Sequence, residues 1–265
     1  MIDIHHHLLW SLDDGASSVE TSIAMARMAA EDGITHVVCS PHANGQYEYQ
    51  PEVIAAKIAE LQQLLDSEQI SLKLGRGCDF HMSYENIELA KAQPARFSIN
   101  GLGYLLVELP DYGLPTGLTE IFYQMRIAGL TPILTHPERN RTLQTDLSRL
   151  LNWLRGGLLL QVTAGSITGR MGKRAEKIAH ELLANRWVHF LATDAHNTTS
   201  RPPHMLEAFE VVAKKYGLDY AHLLCMSNPL AAFMGKSMPP QLEPLNLYEE
   251  FKEKNWWQRT MERLS

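Results

Sequence analysis

Met1-Ile2-Asp3-Ile4-His5-His6-His7 opens the chain, and the architecture follows from how this stretch is read. Apolar Met1 and Ile2 lead into an alternation that reads as a strand, whose side chains point to opposite faces in turn. His5 and His7 then share one face and His6 takes the other. Two imidazoles side by side on one face can offer ring nitrogens to a divalent metal. The triple histidine follows Met-Ile-Asp with no tag linker, which argues against an expression tag. A His-x-His pair is a weak motif alone; its weight comes from what ends the strands that follow.

The 265 residues suffice for one large α/β domain or two small ones, and 45% hydrophobic residues fit a substantial core. No apolar run reaches membrane-spanning length and no signal pattern leads the chain, so a cytoplasmic protein without a membrane span is expected. A formal net charge of -6 without a basic cluster argues against a nucleic-acid partner. Cys39, Cys78 and Cys225 are scattered, which suits core packing better than a disulfide or a thiolate metal site.

Downstream, helical and strand patterns alternate. Asp13-Asp14-Gly15 is a turn signal, and Ser17 and Glu20 have capping-box spacing before a helix that Gly33 ends. Strands are predicted at 34–40, 70–77, 104–109, 131–135, 158–162 and 188–193. Helices are predicted near 52–65, 86–92, 118–128, 146–155, 173–184, 204–215, 229–234 and 248–264. No linker, repeat or low-complexity segment interrupts them, so a single domain over 1–265 is expected, with a C-terminal helical tail at about 246–265. About seven strand–helix units in alternation favour a parallel sheet with helices outside. Closed into a barrel, the strands would bring their C-terminal ends to one rim, where such barrels carry their sites. An open doubly wound sheet is the competing architecture, but it gathers polar residues in one crevice, whereas here nearly every strand ends in them.

Those ends are His5 and His7, with Asp14 in the next loop, then His42, Asp79 and His81, Glu108, His136, and Asp194 and His196. Any one of them reads equally as a hydrogen-bonded core histidine, a turn or a solvated charge. Together on one rim they would strand unpaired charge unless metal balanced them. The donors are nitrogen and carboxylate with no thiolate, which suits manganese, iron or zinc, and they are too many for one tetrahedral ion. Clustered ions lower the pKa of bound water and clamp a phosphoryl group.

The set Asp-x-His-x-His, Asp-Asp-Gly, Ser-Pro-His, Glu108, His-Pro-Glu-Arg, and Asp-x-His followed by Arg-Pro-Pro resembles the PHP (polymerase and histidinol phosphatase) superfamily. More narrowly, it resembles the bacterial metal-dependent protein-tyrosine phosphatases of capsule and exopolysaccharide operons, over residues 1 to about 235. The resemblance implies an α/β fold, a distorted TIM-like (β/α)7 barrel with its metal site at the C-terminal rim of the strands. It implies two or three metal ions, manganese first, with iron, zinc, cobalt or magnesium as alternatives. It implies hydrolysis of phosphotyrosine on the tyrosine-rich tail of a bacterial kinase that controls polysaccharide synthesis.

Carried over by motif, His5, His7 and Asp194 would hold one metal, Glu108 and His136 a second, and Asp14, His42 and His196 a third. Asp79 falls where the family has a bridging glutamate. Arg139 and Arg201 match the phosphate-holding arginines, and a planar fork suits phosphate oxygens. Arg139, Arg201, His42 and Asp194 are the residues expected to carry catalysis.

One check is independent of the resemblance. Cysteine-dependent tyrosine phosphatases need an arginine six positions after the cysteine, but Gly45, Tyr84 and Ala231 stand there. Three features depart from the family pattern. His6 replaces a small residue, Asp79 is one methylene short, and a tail carries Trp256 and Trp257. His81 shares the face of Asp79 and could add a ligand or simply line the pocket. Two other readings stay open: a small-molecule phosphomonoesterase such as histidinol-phosphate phosphatase, and a metal-binding regulatory protein without activity.

Overall fold

A computed structural model describes residues 1–110 and 113–248. Nine strand segments lie among them: β1 (Ile2–His6), β2 (His36–Cys39), β3 (His42–Ala43), β4 (Lys73–Arg76), β5 (Asp79–His81), β6 (Tyr104–Glu108), β7 (Thr131–Thr135), β8 (Leu159–Thr163) and β9 (Phe190–Ala192). All pair in parallel, in two ladders of order β1-β2-β4 and β3-β5-β6-β7-β8-β9.

Two of the expected strands are each split into two segments. The run 34–40 yields β2, breaks at Ser40-Pro41 and resumes as β3; the run 70–77 shortens to β4 and resumes past Gly77-Cys78 as β5. Pro41 has no N–H for a ladder. Backbone bonds from Gly77 N to Cys39 O (2.8 Å) and from Asp79 N to Pro41 O (3.1 Å) carry the pairing across both breaks. The ring closes where His6 bridges Ala195, with His7 N donating to Ala195 O and Asp194 N to His5 O, both at 2.9 Å. The result is a distorted seven-stranded parallel barrel, and the open-sheet alternative falls away.

Along β1, Ile2 pairs with His36, Asp3 with Val37, and then His6 with Cys39, so β1 holds one residue more than β2 over the same span. Such a bulge re-aims the side chains beyond it. Ile2 and Ile4 join Val38, Leu106, Ile133, Phe190 and Ala192 in one buried cluster that fills the barrel. Past the bulge, His5 and His7 turn to this same inner side, toward Asp79 and Asp194. His6 points away, as alternation predicts, and is fully buried with neither ring nitrogen hydrogen-bonded. Burial lowers its pKa to about 3 and keeps the ring neutral.

Helices α1 (Val19–Glu31), α2 (Pro51–Ser67), α3 (Tyr84–Ala92), α4 (Leu118–Ile127), α5 (Arg149–Arg155), α6 (Lys173–Ala184) and α7 (Leu206–Tyr216) follow the strands. Their apolar faces, among them Met25, Leu61, Phe122, Trp153, Leu182 and Val212, form the outer core. The cap of α1 differs from expectation. Ser18, extended at φ -146°, accepts from Thr21 N, so helix geometry starts one residue later than the Ser17–Glu20 spacing requires. Helix α8 (Asn228–Phe233) closes the barrel floor, and Phe233 lies against β4 at Gly75, where a Cβ would stand 2.5 Å from the ring.

Chain from Glu243 to Leu247 straps onto the lower side, where Trp187 Nε1 donates to Leu245 O and Arg155 Nε to Leu247 O, both at 2.9 Å. The terminal helix expected from Tyr248, with Trp256 and Trp257, lies outside the described residues beyond Tyr248. No helix among the described residues is long and apolar enough to cross a membrane.

His189, half-buried just before β9, accepts from Leu160 N at 3.1 Å through Nδ1. Burial lowers its pKa to about 4, and the same bond requires an unprotonated nitrogen. Between pH 6.5 and 4 the unfolded chain therefore binds the extra proton, so stability falls as pH drops through this window. The loss is at most about 3 kcal/mol. His189→Asn keeps an acceptor near Nδ1 but does not titrate. Its urea midpoint should drop less from pH 7 to pH 4.5 than that of the wild type, and equal drops would exclude His189 as the cause.

Candidate metal centre

Inner-facing positions along each strand pass from apolar to polar toward the C-terminal rim: Leu106 to Glu108 on β6, Ile133 to Thr135 on β7, Leu159 to Gln161 on β8, and Ala192 on β9 to Asp194. The register sets Asp79 beside His42 and Leu106, and His81 beside Glu108. On these four strands, β6 to β9, the apolar lower layers and the polar rim thus come from one parity, whereas β1 changes parity at its bulge.

Donor atoms gather in four overlapping groups, each within 4.8 Å: His7, Asp14, His42 and His196; His5, Asp79 and His136; His5, His7 and Asp194; and His42, Asp79 and Glu108. All nine residues expected as ligands are brought together. Asp79 belongs to two groups, its Oδ2 lying 3.4 Å from His5 Nε2 and 3.2 Å from His42 Nδ1. Glu108 Oε1 lies 3.6 Å from His136 Nε2. His7 also joins the group expected of Asp14, His42 and His196. His81 stands at the edge, with Nδ1 3.8 Å from Glu108, and belongs to none of the four.

The residues fit divalent cations on their own chemistry. Asp79 is buried, yet neither of its oxygens has a hydrogen-bond donor, and His42 Nδ1 and His196 Nε2 are also buried without a partner. Burying such atoms unsatisfied is costly, and positive charge among them removes the cost. The tautomers agree. His5 Nδ1 is 3.0 Å from Gln161 Oε1, His7 Nδ1 is 2.7 Å from Asp13 Oδ2, and His196 Nδ1 is 3.0 Å from the Asp194 carbonyl. Each Nδ1–H donates outward, which leaves Nε2 facing the centre as the nitrogen that takes a cation or, without one, a proton.

Electrostatics say the same. Burial resists charge on His5, but facing Asp194 and Asp79 raise its pKa to about 9. Burial likewise opposes charging His42, while Asp14 and Asp79 raise it to about 11. Despite burial, His5 and His42 hold the Asp79 carboxyl well below the usual range. Protons here do a cation's work. His136 has φ +34° and Asp194 φ +53°, both in the left-handed region that costs non-glycine residues about 1–3 kcal/mol. Such outliers cluster at functional sites.

Arg139 and Arg201 converge on one atom. Both donate to Asp194 Oδ2, Arg201 at 2.5 Å. Asp194 Oδ1 meanwhile faces His5 at 3.4 Å and His7 at 3.5 Å. Arg201 Nε is buried with no acceptor, a donor directed at nothing among the described residues.

Three supporting residues escaped sequence reading. Asp13 accepts from His7, from Gly15 N (2.9 Å) and from His42 N (3.1 Å), so it anchors two ligand-bearing segments. The turn packs so closely that a Cβ on Gly15 would lie 2.4 Å from His7 O. Asp-Asp-Gly carried the signal, but only Asp14 was singled out from it. Glu138 lay within His-Pro-Glu-Arg, from which only His136 and Arg139 were singled out, and Gln161, in the middle of β8, carried no signal.

Three comparisons bear on this geometry. The family described as Capsular polysaccharide synthesis, CpsB/CapC, matches residues 1–234. Tyrosine-protein phosphatase YwqE of Bacillus subtilis is 34% identical over 225 residues, 84% of this chain and 88% of the relative. Tyrosine-protein phosphatase CpsB of Streptococcus pneumoniae is 28% identical over 244 residues, 88% of this chain and 98% of the relative. A solved structure described with YwqE and CpsB as unique metal-dependent tyrosine phosphatases superposes with a TM-score of 0.87 at 32% identity. It covers 92% of this chain and 98% of its own.

Proposed function

The chain belongs to the CpsB/CapC family of capsular polysaccharide synthesis, and from that premise we propose that it is a metal-dependent protein-tyrosine phosphatase. Its substrate is a phosphotyrosine on a tyrosine kinase that acts in polysaccharide synthesis, a reading supported by the family description and the names of its relatives. The observation that carries the activity is the nine-residue donor cluster, with orphaned buried carboxylate and imidazole atoms, lying beside two converging arginines. Manganese is the proposed ion, held by His5, His7, Asp14, His42, Asp79, Glu108, His136, Asp194 and His196. Divalent ions at such a site lower the pKa of coordinated water and neutralise phosphoryl oxygens.

The protein's own part is to aim and to hold. Gln161 and Asp13 fix the rings of His5 and His7 with Nε2 inward. Arg139 and Arg201 each have five N–H donors, so pairing with Asp194 leaves others for phosphate oxygens. The buried Nε of Arg201 is one such donor. Cysteine nucleophiles have no place in this scheme: Cys39, Cys78 and Cys225 are all buried, and burial raises each thiol pKa far above neutrality.

Purified protein should hydrolyse a phosphotyrosine peptide in preference to histidinol phosphate, lose the activity to a chelator and regain it with manganese. Chelator-resistant turnover would exclude the mechanism, and preference for histidinol phosphate would replace the substrate. Metal should also stabilise the fold, by about 2.7 kcal/mol at a hundredfold excess over Kd. Thermal melts with and without manganese read this directly.

A further inference from the structure

The turn that carries His136 and Arg139 is clamped from both sides. On one side, Asn140 Nδ2 donates to Pro110 O at 2.9 Å, just past β6. On the other side is Glu138, fully buried. Its Oε1 accepts from Thr163 N at 3.1 Å and from Ser166 Oγ at 2.7 Å. Thr163 ends β8, and Ser166 lies in the short helix Ala164–Ile167 that follows it. Glu138 O in turn accepts from Gln144 Nε2 at 2.8 Å, fixing the outgoing chain. A carboxyl group out of water is costly unless it is hydrogen-bonded. Here both donors to the side chain come from a different strand–helix unit, so the group ties two units together.

The tie acts where the backbone is under strain. His136, two residues before Glu138, holds φ +34°, and Arg139, one residue after it, reaches Asp194. A strained turn persists only when its surroundings over-determine it. We propose that Glu138 is a positioning residue for phosphate binding: by gripping Thr163 and Ser166 it fixes the 136–139 turn so that Arg139 stands over Asp194. The inference rests on Arg139 as a phosphate-holding side chain. Glu138 does not touch the substrate; it acts through Arg139.

A double-mutant cycle on the full chain loaded with manganese tests this. Glu138→Ala should lower kcat/KM on a phosphotyrosine peptide by up to about a hundredfold, the scale of a 1 Å misplacement. Bound metal by elemental analysis should match the wild type. Glu138→Gln keeps the acceptor and should stay within about threefold. On an Arg139→Ala background, Glu138→Ala should cost nothing further. Should Glu138→Ala fail to fold, Ser166→Ala removes one of the two donors and must show the same dependence on Arg139. A loss that persists undiminished without Arg139, or one that tracks lost metal, overturns the role of Glu138 alone. Wild-type efficiency in Arg139→Ala itself removes Arg139 from phosphate binding and overturns both readings.

Discussion

Asp79→Ala is expected to lose bound metal and turnover together, by at least about a hundredfold in activity, because removing even an outer partner of a metal ligand costs 10–100-fold. Asp79 is proposed as a direct ligand. It is buried, it belongs to two of the four donor groups, and both its oxygens lack hydrogen-bond donors. Its removal leaves His5 and His42 facing each other with less carboxylate between them. The resemblance read in the sequence implies a glutamate here, one methylene longer, about 1.5 Å of reach. Metal–oxygen bonds tolerate about 0.2 Å, so the backbone must supply the difference. Asp79 opens β5, the segment that resumes after the break at Gly77-Cys78, and from there Oδ2 comes within 3.4 Å of His5 and 3.2 Å of His42. Asp79→Glu should therefore keep far more metal and turnover than alanine, if β5 can draw back. Elemental analysis and kinetics on the same samples decide the matter: an alanine variant with full metal and full turnover takes Asp79 out of the centre.

Arg139→Ala and Arg201→Ala should do the opposite, keeping metal while losing catalytic efficiency. Each removes charge-assisted donors to a group whose charge is redistributed in the transition state, and one such donor is worth about 3 kcal/mol, roughly a hundredfold. Both side chains retain partial exposure, 28% and 26%, while the Asp194 side chain they share is nearly inaccessible. They thus sit between the metal donors and solvent, where a phosphoryl group would enter. Lysine substitutions should also be impaired, since an ammonium cannot reproduce the fork that spans a carboxylate and a phosphate at once. Wild-type kcat/KM on a phosphotyrosine peptide for both alanine variants would end this assignment.

Much of this centre could be read from residue order because a parallel barrel converts it into position. Once His5, His42, Asp79, Glu108, His136 and Asp194 are assigned to successive strand ends, closure alone brings them together. What could not be read is whatever depends on a backbone irregularity or on a partner from another strand. The bulge in β1 sets Ile4 and His5 on the same inner side, against simple alternation, and nothing in Ile-Asp-Ile-His announces it. The breaks at Pro41 and Gly77 divided two strands for local reasons that a run of apolar residues conceals. Gln161 and Glu138 act on residues far away in sequence, 156 positions in the case of Gln161 and His5, and no local pattern encodes such a pair; Asp13 joins His7, six residues before it, to the amide of His42 on another strand. The cap of α1 failed for a smaller reason. Only Ser17 has a glutamate three residues on, yet backbone geometry makes its neighbour Ser18 the cap.

The seam between the first and last strands has a consequence for how the molecule comes into being. Asp3 accepts from both the amide and the hydroxyl of Thr193, 190 residues later, and Asp194 N bonds His5 O beside them. His5, His7 and Asp194 therefore meet across the last gap to be sewn. A chain growing on the ribosome exposes His5 and His7 more than 180 residues before their carboxylate partner, Asp194, is added. Bringing such distant segments together is the slow, entropically demanding part of folding. Until then the group of His5, His7 and Asp194 is incomplete, whereas the two groups that contain Asp79 need nothing beyond His136. The last donor groups to assemble, those with Asp194 and His196, are thus the ones that lie on the closing seam of the barrel.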